Sequence, residues 1–460
     1  MGHIQEGIYK SSILRRHLKG ELWKRMYMAS FLVAFLALVL LVLTIVNETF
    51  GYVLIEYRVQ PETVSERPLE ELNAEELVGV LQAQVPGQLI PLAAQYLANN
   101  MDVQTFADTP IAESMAGKNF PEAYGATTPR ELSREDRPLV MGQLLAGNLS
   151  SEQLYVIVEE VVLEPDVVET YPLFEGLFNR EAIEAKIAEE YPDTATRPEL
   201  QFHSWLNAAI FNSTAGDNPL TSGIRTALLG SLYVLVIVVL FGFPLGIMTA
   251  IYLEEYAGKH WLNNLIENNI RNLAGVPSIV YGMLGLQLFV RALEPVTSGA
   301  AFGVLDSNGR TILSAGLTMA LLVLPVVIIN AQEAIRAVPN SYREASYGLG
   351  ATKWQTIWNQ VIPAALPGIL TGTILSISRA IGETAPLIIV GAATYIAQDP
   401  TGFFSKFTAL PIQIFSWTTR PQPGFKELAA AAIVVLLLLL VVLNLSAFVL
   451  RHQARRRLQA

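Results

Sequence analysis

None of the 460 residues is cysteine, which excludes disulfides, thiolate metal sites and thiol nucleophiles. Histidine is scarce, with 5 in the chain, and no nucleophile–base pair or metal-ligand cluster emerges, so no metal site is expected and an enzyme is the weakest class. The pattern G-x-x-x-x-G-K-[ST] is missing; Gly348-Leu349-Gly350-Ala351-Thr352-Lys353 has the wrong spacing, so no loop here cradles ATP phosphates. Charge is thin, at 16% against 52% hydrophobic residues, which is apolar for a soluble chain. Nothing basic and aromatic is interleaved in the way nucleic acid binding needs. Apolar runs long enough to cross a bilayer are absent from one region, 48–222, and dominate the rest.

What is present divides the chain. Residues 1–25 are polar and basic (Lys10, Arg15, Arg16, Lys19, Lys24, Arg25), and 26–46 are apolar without a charge. A span needs about 20 apolar residues. We read 26–47 as the first membrane helix and not a signal peptide, because the run is too long and no small-x-small cleavage site follows it. Residues 48–222 carry 29 acidic and 9 basic side chains, a net of −20; the remainder carries 12 and 22, a net of +10, and the two give −10. Such asymmetry marks two environments. The acidic segment is long enough to be a domain. Its spacing predicts helices over 69–84 and 180–190 and a strand or helix over 153–163, with a modest core from Tyr155, Tyr171, Phe174, Phe178, Tyr191, Phe202 and Trp205. Its net sign makes it no lure for an anion; a solvated surface, or a landing face for a substrate-delivery protein, is the expected use.

From Arg225 the apolar runs resume. Spans are expected at 228–253, 273–290, 312–329, from Pro363 onward, and at 428–450, within a membrane core over 223–450. Polar loops are expected at 254–269 and 294–310, a long loop at 330–362, an aromatic, proline-broken outer loop at 403–425, and a basic tail (Arg451, Arg455, Arg456, Arg457) over 451–460. Gly242 with Gly246, and Gly368 with Gly372, are small residues four apart, suited to close helix packing. Pro277 pre-sets helical φ at the start of the third span. Six spans return the chain to its starting side, and both ends are basic, so N- and C-termini and the 330–362 loop are expected in the cytoplasm. The expected fold is an all-α polytopic membrane protein with six transmembrane helices and a large α-rich or α+β extracytoplasmic insertion between helices one and two.

Residues 341–387 join the polar and apolar parts. Ser341 with Glu344, and Thr352 with Gln355, fit capping boxes. Gly350 lies between them, where a C′ residue takes positive φ. The pattern predicts helix, sharp turn and helix, stopped by Pro363. Trp354 and Trp358 share a face and suit a groove or a lipid interface. Farther on, Arg379 falls about 24 Å along a helix begun at Pro363, within or near the edge of the hydrocarbon. Each charge there costs about 2.5–3.5 kcal/mol on insertion scales. Glu383 is four residues on and can pair with it, either as a structural neutralising pair or as a gate for an anion, since a guanidinium offers a bidentate fork.

Glu344-Ala345-Ser346, with Gly350 four residues on and Pro363 thirteen after that, resembles the EAA loop of ABC importer permeases; Ser346, Gln360 and Ile362 depart from its usual residues. Arg379-Ala380-Ile381-Gly382-Glu383-Thr384-Ala385-Pro386-Leu387 and Gly275-Val276-Pro277-Ser278-Ile279-Val280-Tyr281-Gly282 resemble stretches of the PstA-type permease family of phosphate importers. The resemblance runs from about Thr226 to the C-terminus and includes the first membrane helix, but not 48–222. It implies an inner-membrane phosphate permease whose Ser341, Glu344, Ala345, Gly350, Ala351, Trp354 and Trp358 couple to an ATPase, and whose substrate path uses Arg379, Glu383, Thr384 and Ser278. It also implies an ATPase dimer, which would bind the ATP and Mg that this chain does not, a sister permease and an extracytoplasmic phosphate-binding protein. A permease for another oxyanion is the alternative within that class. A membrane-anchored receptor or scaffold acting through 48–222 is the alternative outside it, but an anchor needs neither the capped loop nor the Arg379–Glu383 pair.

Overall fold

A computed structural model describes residues 2–97, 103–192, 197–258, 260–304, 308–393, 396 and 398–459. The side chains of 2–16, 18, 450 and 454–459, among them Lys10, Arg15, Arg16, Arg455, Arg456 and Arg457, lie outside the described residues. The chain opens with one long helix, α1 (Gly2–Thr49), and runs straight into strand β1 (Phe50–Tyr57). Then come α2 (Ala74–Gln84), α3 (Leu89–Leu97), α4 (Asp136–Asn148), α5 (Ser151–Val158), β2 (Pro165–Pro172), α6 (Leu173–Phe178), α7 (Arg180–Glu190) and β3 (Glu199–Ser204). The apolar part holds α8 (Arg225–Tyr256), α9 (Trp261–Ala274), α10 (Ser278–Ala292), α11 (Ile312–Arg336), α12 (Asn340–Gly348), α13 (Lys353–Gly382), α14 (Ala385–Val390), α15 (Leu410–Thr418) and α16 (Phe425–Gln459).

Five helices among the described residues are long and apolar enough to cross a membrane: α1 from Lys19, α8, α11, α13, and α16 to Gln453. The third expected span, 273–290, is not one straight helix. α9 and α10 meet at a bend of 106°, because Gly275 leaves the helix and Pro277, with no N–H, stands ahead of Ser278. The expected polar loop over 254–269 is therefore largely the amphipathic helix α9. The last expected outer loop, 403–425, contains α15, whose Leu410, Ile412 and Trp417 are fully buried. The helix expected at 312–329 runs on to Arg336.

Pro363 does not stop a helix either: α13 continues through it. A π turn, Ile357–Val361, lies immediately ahead of that proline, and another, Val238–Gly242, stands in the same place before Pro244 in α8. A proline ring clashes with the carbonyl four residues back and donates no hydrogen bond. A widened turn takes that carbonyl out of the regular ladder, so the helix absorbs the proline.

The small-residue pairs do what their spacing predicts. A Cβ on Gly246 would sit 2.6 Å from Val327 Cγ1, and Gly242 faces Ala320 and Val323 at 3.4–3.6 Å, so α8 lies close on α11. Farther along α11, a Cβ on Gly372 would meet Asn330 Cβ at 2.4 Å and one on Gly368 would meet Ala334 Cβ at 2.8 Å. α11 thus packs closely on α8 over 320–327 and on α13 over 330–334.

Residues 48–222 form an antiparallel sheet, β2-β1-β3, and a helical cluster. The predicted helix at 180–190 is present, the run at 153–163 is helical, and 69–84 is a short turn followed by α2, capped by a reciprocal Asn73–Glu76 box. The core differs from expectation. Tyr171 and Trp205 are buried, but Phe174, Phe178 and Phe202 are exposed; the main cluster is aliphatic, built on Leu77, Leu81, Leu89, Leu92, Leu144, Leu154 and Ile157. The sheet packs Val53, Ile55 and Val167 in one cluster with Trp417 of α15 and with Phe425 and Leu428 at the head of α16, and Thr170 donates a 2.7 Å hydrogen bond to Glu427.

Two predictions follow from this packing. Gly246→Leu forces α8 off α11 and costs roughly 1–3 kcal/mol, as overpacking does, read as a lower melting temperature of the purified chain in detergent. Glu160, beside Tyr96 and Thr221, has its carboxyl raised chiefly by burial. A raised folded-state value means the folded chain binds the proton more tightly, so burial of the charge destabilises at neutral pH and ceases to do so below the unfolded value. Glu160→Gln should raise the melting temperature at neutral pH, with the gain vanishing as pH falls through the ordinary carboxylate value of 4.5.

Candidate functional site

The polar elbow is built from α12 and the start of α13. The expected Ser341–Glu344 box is absent: α12 begins two residues earlier than a Ser341 cap would start it, behind Pro339, whose fixed φ and extended ψ (−57°, 140°) make it the lead-in residue. The Thr352 box is present, with Gln355 N donating to Thr352 Oγ1 at 3.4 Å and Thr352 N donating to Gln355 Oε1 at 2.9 Å. Gly350 takes φ +83°, where a Cβ would be strained, and its N–H donates to Tyr347 O at 2.9 Å. The two helices are tied by Ser346 Oγ and Thr356 Oγ1 at 2.9 Å.

The elbow presents an apolar tip. Leu349 is 90% exposed, and Tyr342, Tyr347, Trp354 and Trp358 are exposed as well; the two indoles stack with centroids 5.5 Å apart. Ser341, Glu344, Ala345 and Gly350 are exposed, and Ala351 is half-buried. So many large apolar groups at a helix–turn–helix tip mark a contact surface.

The inner side of the elbow was not foreseen. Arg343 sends Nη2 and Nε to Glu255 Oε1 at 2.7 and 3.1 Å and also bonds the carbonyls of Val338 and Ile335 at 2.9 and 3.2 Å. The two side chains are only 17% and 7% exposed. Next to them Arg336 pairs with Glu254 and with Glu333 at 3.2 Å, and Lys353 lies 5.1 Å over the Tyr256 ring. The polar end of α8 is thereby fastened to the elbow. The signal was the pair Glu254-Glu255 ending an apolar run, but their partners lie about 80 residues on, beyond any local rule.

The second half of the site is a break in the apolar core. α13 ends at Gly382; Glu383 is extended (φ −80°, ψ 124°) and α14 restarts at Ala385. Glu383 thus caps the helix and is not inside it, as the spacing had suggested. Arg379 Nε still reaches Glu383 Oε1 at 3.3 Å. α14 packs on α10, where a Cβ on Gly282 would stand 2.7 Å from Pro386 Cα, so the stretches 275–282 and 379–387 meet in space. Ser278 and Thr384 are half-buried, and no side-chain hydrogen bond joins either to the Arg379–Glu383 pair among the described residues. Gly391 closes α14 at φ +113°, and Arg310 lies across it: a Cβ there would meet Arg310 Cδ at 2.5 Å.

Residues 242–459 match the model of the family described as binding-protein-dependent transport system inner membrane component. The chain is 38% identical over 237 residues to phosphate transport system permease protein PstA 1 of Mycobacterium tuberculosis strain H37Rv, covering 51% of this chain and 71% of that protein. The chain belongs to this family. This permease is also similar to phosphate transport system permease protein PstA of Yersinia pestis (32% over 246 residues, 53% of this chain and 78% of the relative). It is similar as well to the probable ABC transporter permease protein YqgI of Bacillus subtilis (32% over 237 residues, 49% and 76%). A chain of a solved bacterial alginate ABC transporter aligns at TM-score 0.40 and 16% identity over 61% of this chain and 94% of its own. As a permease of this family the chain is the multi-pass membrane component of an ABC transporter, not itself catalytic, and works beside an ATPase and a substrate-binding protein.

Breaking one partner of a buried ion pair leaves a stranded charge and costs about 3–5 kcal/mol. Glu255→Ala in this permease should lower its melting temperature markedly, whereas the double variant Glu255→Met with Arg343→Met should recover much of the loss, since a pair of apolar groups strands no charge.

Proposed function

We propose that this permease is one of two membrane subunits of an ATP-driven phosphate importer. The observation that carries the reading is a guanidinium held by a carboxylate where α13 breaks, in a chain related to PstA permeases. The path contains six crossings: the five long helices, plus the bent α9–α10 pair as one, with α9 lying along the membrane surface. α10 from Ser278 to Ala292 is about 22 Å long, somewhat short of a hydrocarbon core of about 30 Å. On that count the termini, α9 and the elbow share the cytoplasmic side, and the sheet and α15 share the other. Their contacts agree, because α9 carries Glu267 beside Arg336 at the elbow, while the sheet packs with α15 and the head of α16.

The elbow tip docks on the ATPase dimer, which holds ATP and Mg; this chain contributes no cofactor site. When the ATPase closes, force entering at Leu349, Trp354 and Trp358 moves α13 directly and α8 through Glu255. Phosphate delivered by an extracytoplasmic binding protein crosses between this permease and a sister permease. Glu383 keeps the Arg379 fork occupied until phosphate displaces it, and Thr384 and Ser278 line the same break.

The test is phosphate uptake by vesicles containing this permease, its sister, the ATPase and the binding protein. Arg379→Ala should reduce ATP-driven uptake by about tenfold or more, the equivalent of at least 1.4 kcal/mol; Glu383→Gln should leave the path leaky or slow. Glu344→Ala should leave the chain's melting temperature unchanged and weaken capture of the ATPase. Normal transport by Arg379→Ala, Arg379→Lys and Glu383→Gln would refute the gate, and uptake of sulfate in preference to phosphate would move the assignment to another oxyanion.

A further inference from the structure

The sheet hands the chain back to the membrane surface at α6. β1 begins one residue after α1 ends, and its first residues pair with the last of β2, Gly51 with Pro172. α6 starts at the next residue, Leu173. Phe174 N donates a 2.8 Å hydrogen bond to Asn47 Oδ1, one residue past the apolar run 26–46. α6 is therefore fixed at the depth where the first span leaves the hydrocarbon. One face of it is locked: Gly176 is buried on the Tyr52 ring, where a Cβ would meet Tyr52 Cδ2 at 2.2 Å. The opposite stripe is Phe174, Leu177 and Phe178, spaced i, i+3 and i+4 along one side, and these are 48%, 56% and 81% exposed. Just beyond it Arg180 stacks 5.7 Å over the Tyr52 ring and pairs with Glu184, with its head exposed.

We infer that α6 is a lipid-binding foot, with Phe174, Leu177 and Phe178 seated in the acyl–headgroup boundary of the bilayer beside α1. The stripe lies beside the end of α1, whose apolar residues, Leu38, Leu40 and Leu41 among them, are exposed as well. An aromatic and aliphatic face below a basic residue at span-end depth is the pattern of an interfacial anchor. It explains why two of the phenylalanines assigned to the core of 48–222 are outside it. The foot sets the tilt of the sheet over the mouth of the permease, since β1 and β2 both end on it.

The absence of cysteine makes the test direct. Phe178→Cys and Leu177→Cys are spin-labelled in the assembled transporter in lipid vesicles, with Glu152→Cys as a water-exposed control and Leu38→Cys as a mid-span control. Collision with oxygen and with a water-soluble nickel chelate is read for each label. The foot predicts that labels at 177 and 178 collide several-fold more with oxygen than with the chelate, between the two controls. Free access of the chelate at 177 and 178 would overturn it. So would shielding from both reagents that vanishes when the sister permease is left out, because the stripe would then be a protein interface. A Leu38 label open to the chelate would instead refute the membrane reading of α1, on which the inference rests.

Discussion

The contact between Arg343 and Glu255 fastens the elbow to the end of α8, and the shape of the elbow depends on it. An elbow of two short helices is too small to hold its own shape; nine residues of helix are marginal in water. Here the elbow is fixed because a guanidinium satisfies a carboxylate and two main-chain carbonyls at once, in a place where neither charge can be left alone. The exposed tip, with Leu349 and two stacked indoles, is thereby joined to two long helices: α13, which grows out of the elbow, and α8, whose end supplies Glu255.

α11 packs closely on both of them through glycine contacts. Gly242 and Gly246 admit it to α8, and Gly368 and Gly372 admit it to α13. The π turns at Val238–Gly242 and Ile357–Val361 sit in both helices. They are the local points where each ladder is already widened and a bend costs least. The helix break at Glu383 lies at the end of α13 away from the elbow, where α14 packs on α10.

The parts legible in the sequence were those whose chemistry is local. Thr352 with Gln355, Gly350 and the glycine pairs needed only neighbours in the chain to be read, and each is where spacing put it. Ser341 was misread because Pro339, two residues ahead, takes the lead-in role by its fixed φ. Pro363 was misread because the π turn before it removes the carbonyl that the ring would strike. The break at Glu383 had a local signal, Gly382 followed by Pro386, that the apolar run around it obscured. Phe174 and Phe178 were counted as core because aromatic residues usually are; their fate depended on Gly51 pairing with Pro172, a contact across 121 positions that no periodicity reveals. Arg343 with Glu255 was hidden for the same reason.

α8 is fastened at both ends. Its C-terminal end carries Glu255; its N-terminal end carries Arg225, paired with Asp399 at 2.8 Å, and Thr226, which donates to the same carboxylate at 2.9 Å. Asp399 lines a cavity of about 520 Å³ with Gln398, Thr401, Ser405 and Lys406. Ile224 and Ala227, beside those anchors, belong to the same core as the sheet and the head of α16. α8 runs over 32 residues, about 48 Å, and so connects the anchors at the elbow with those beside the cavity and the sheet. The acidic segment is joined to α1 through β1 and to α16 through Thr170 and Glu427. Attached in this way to three spans, it is packed into the permease and is not a tethered appendage.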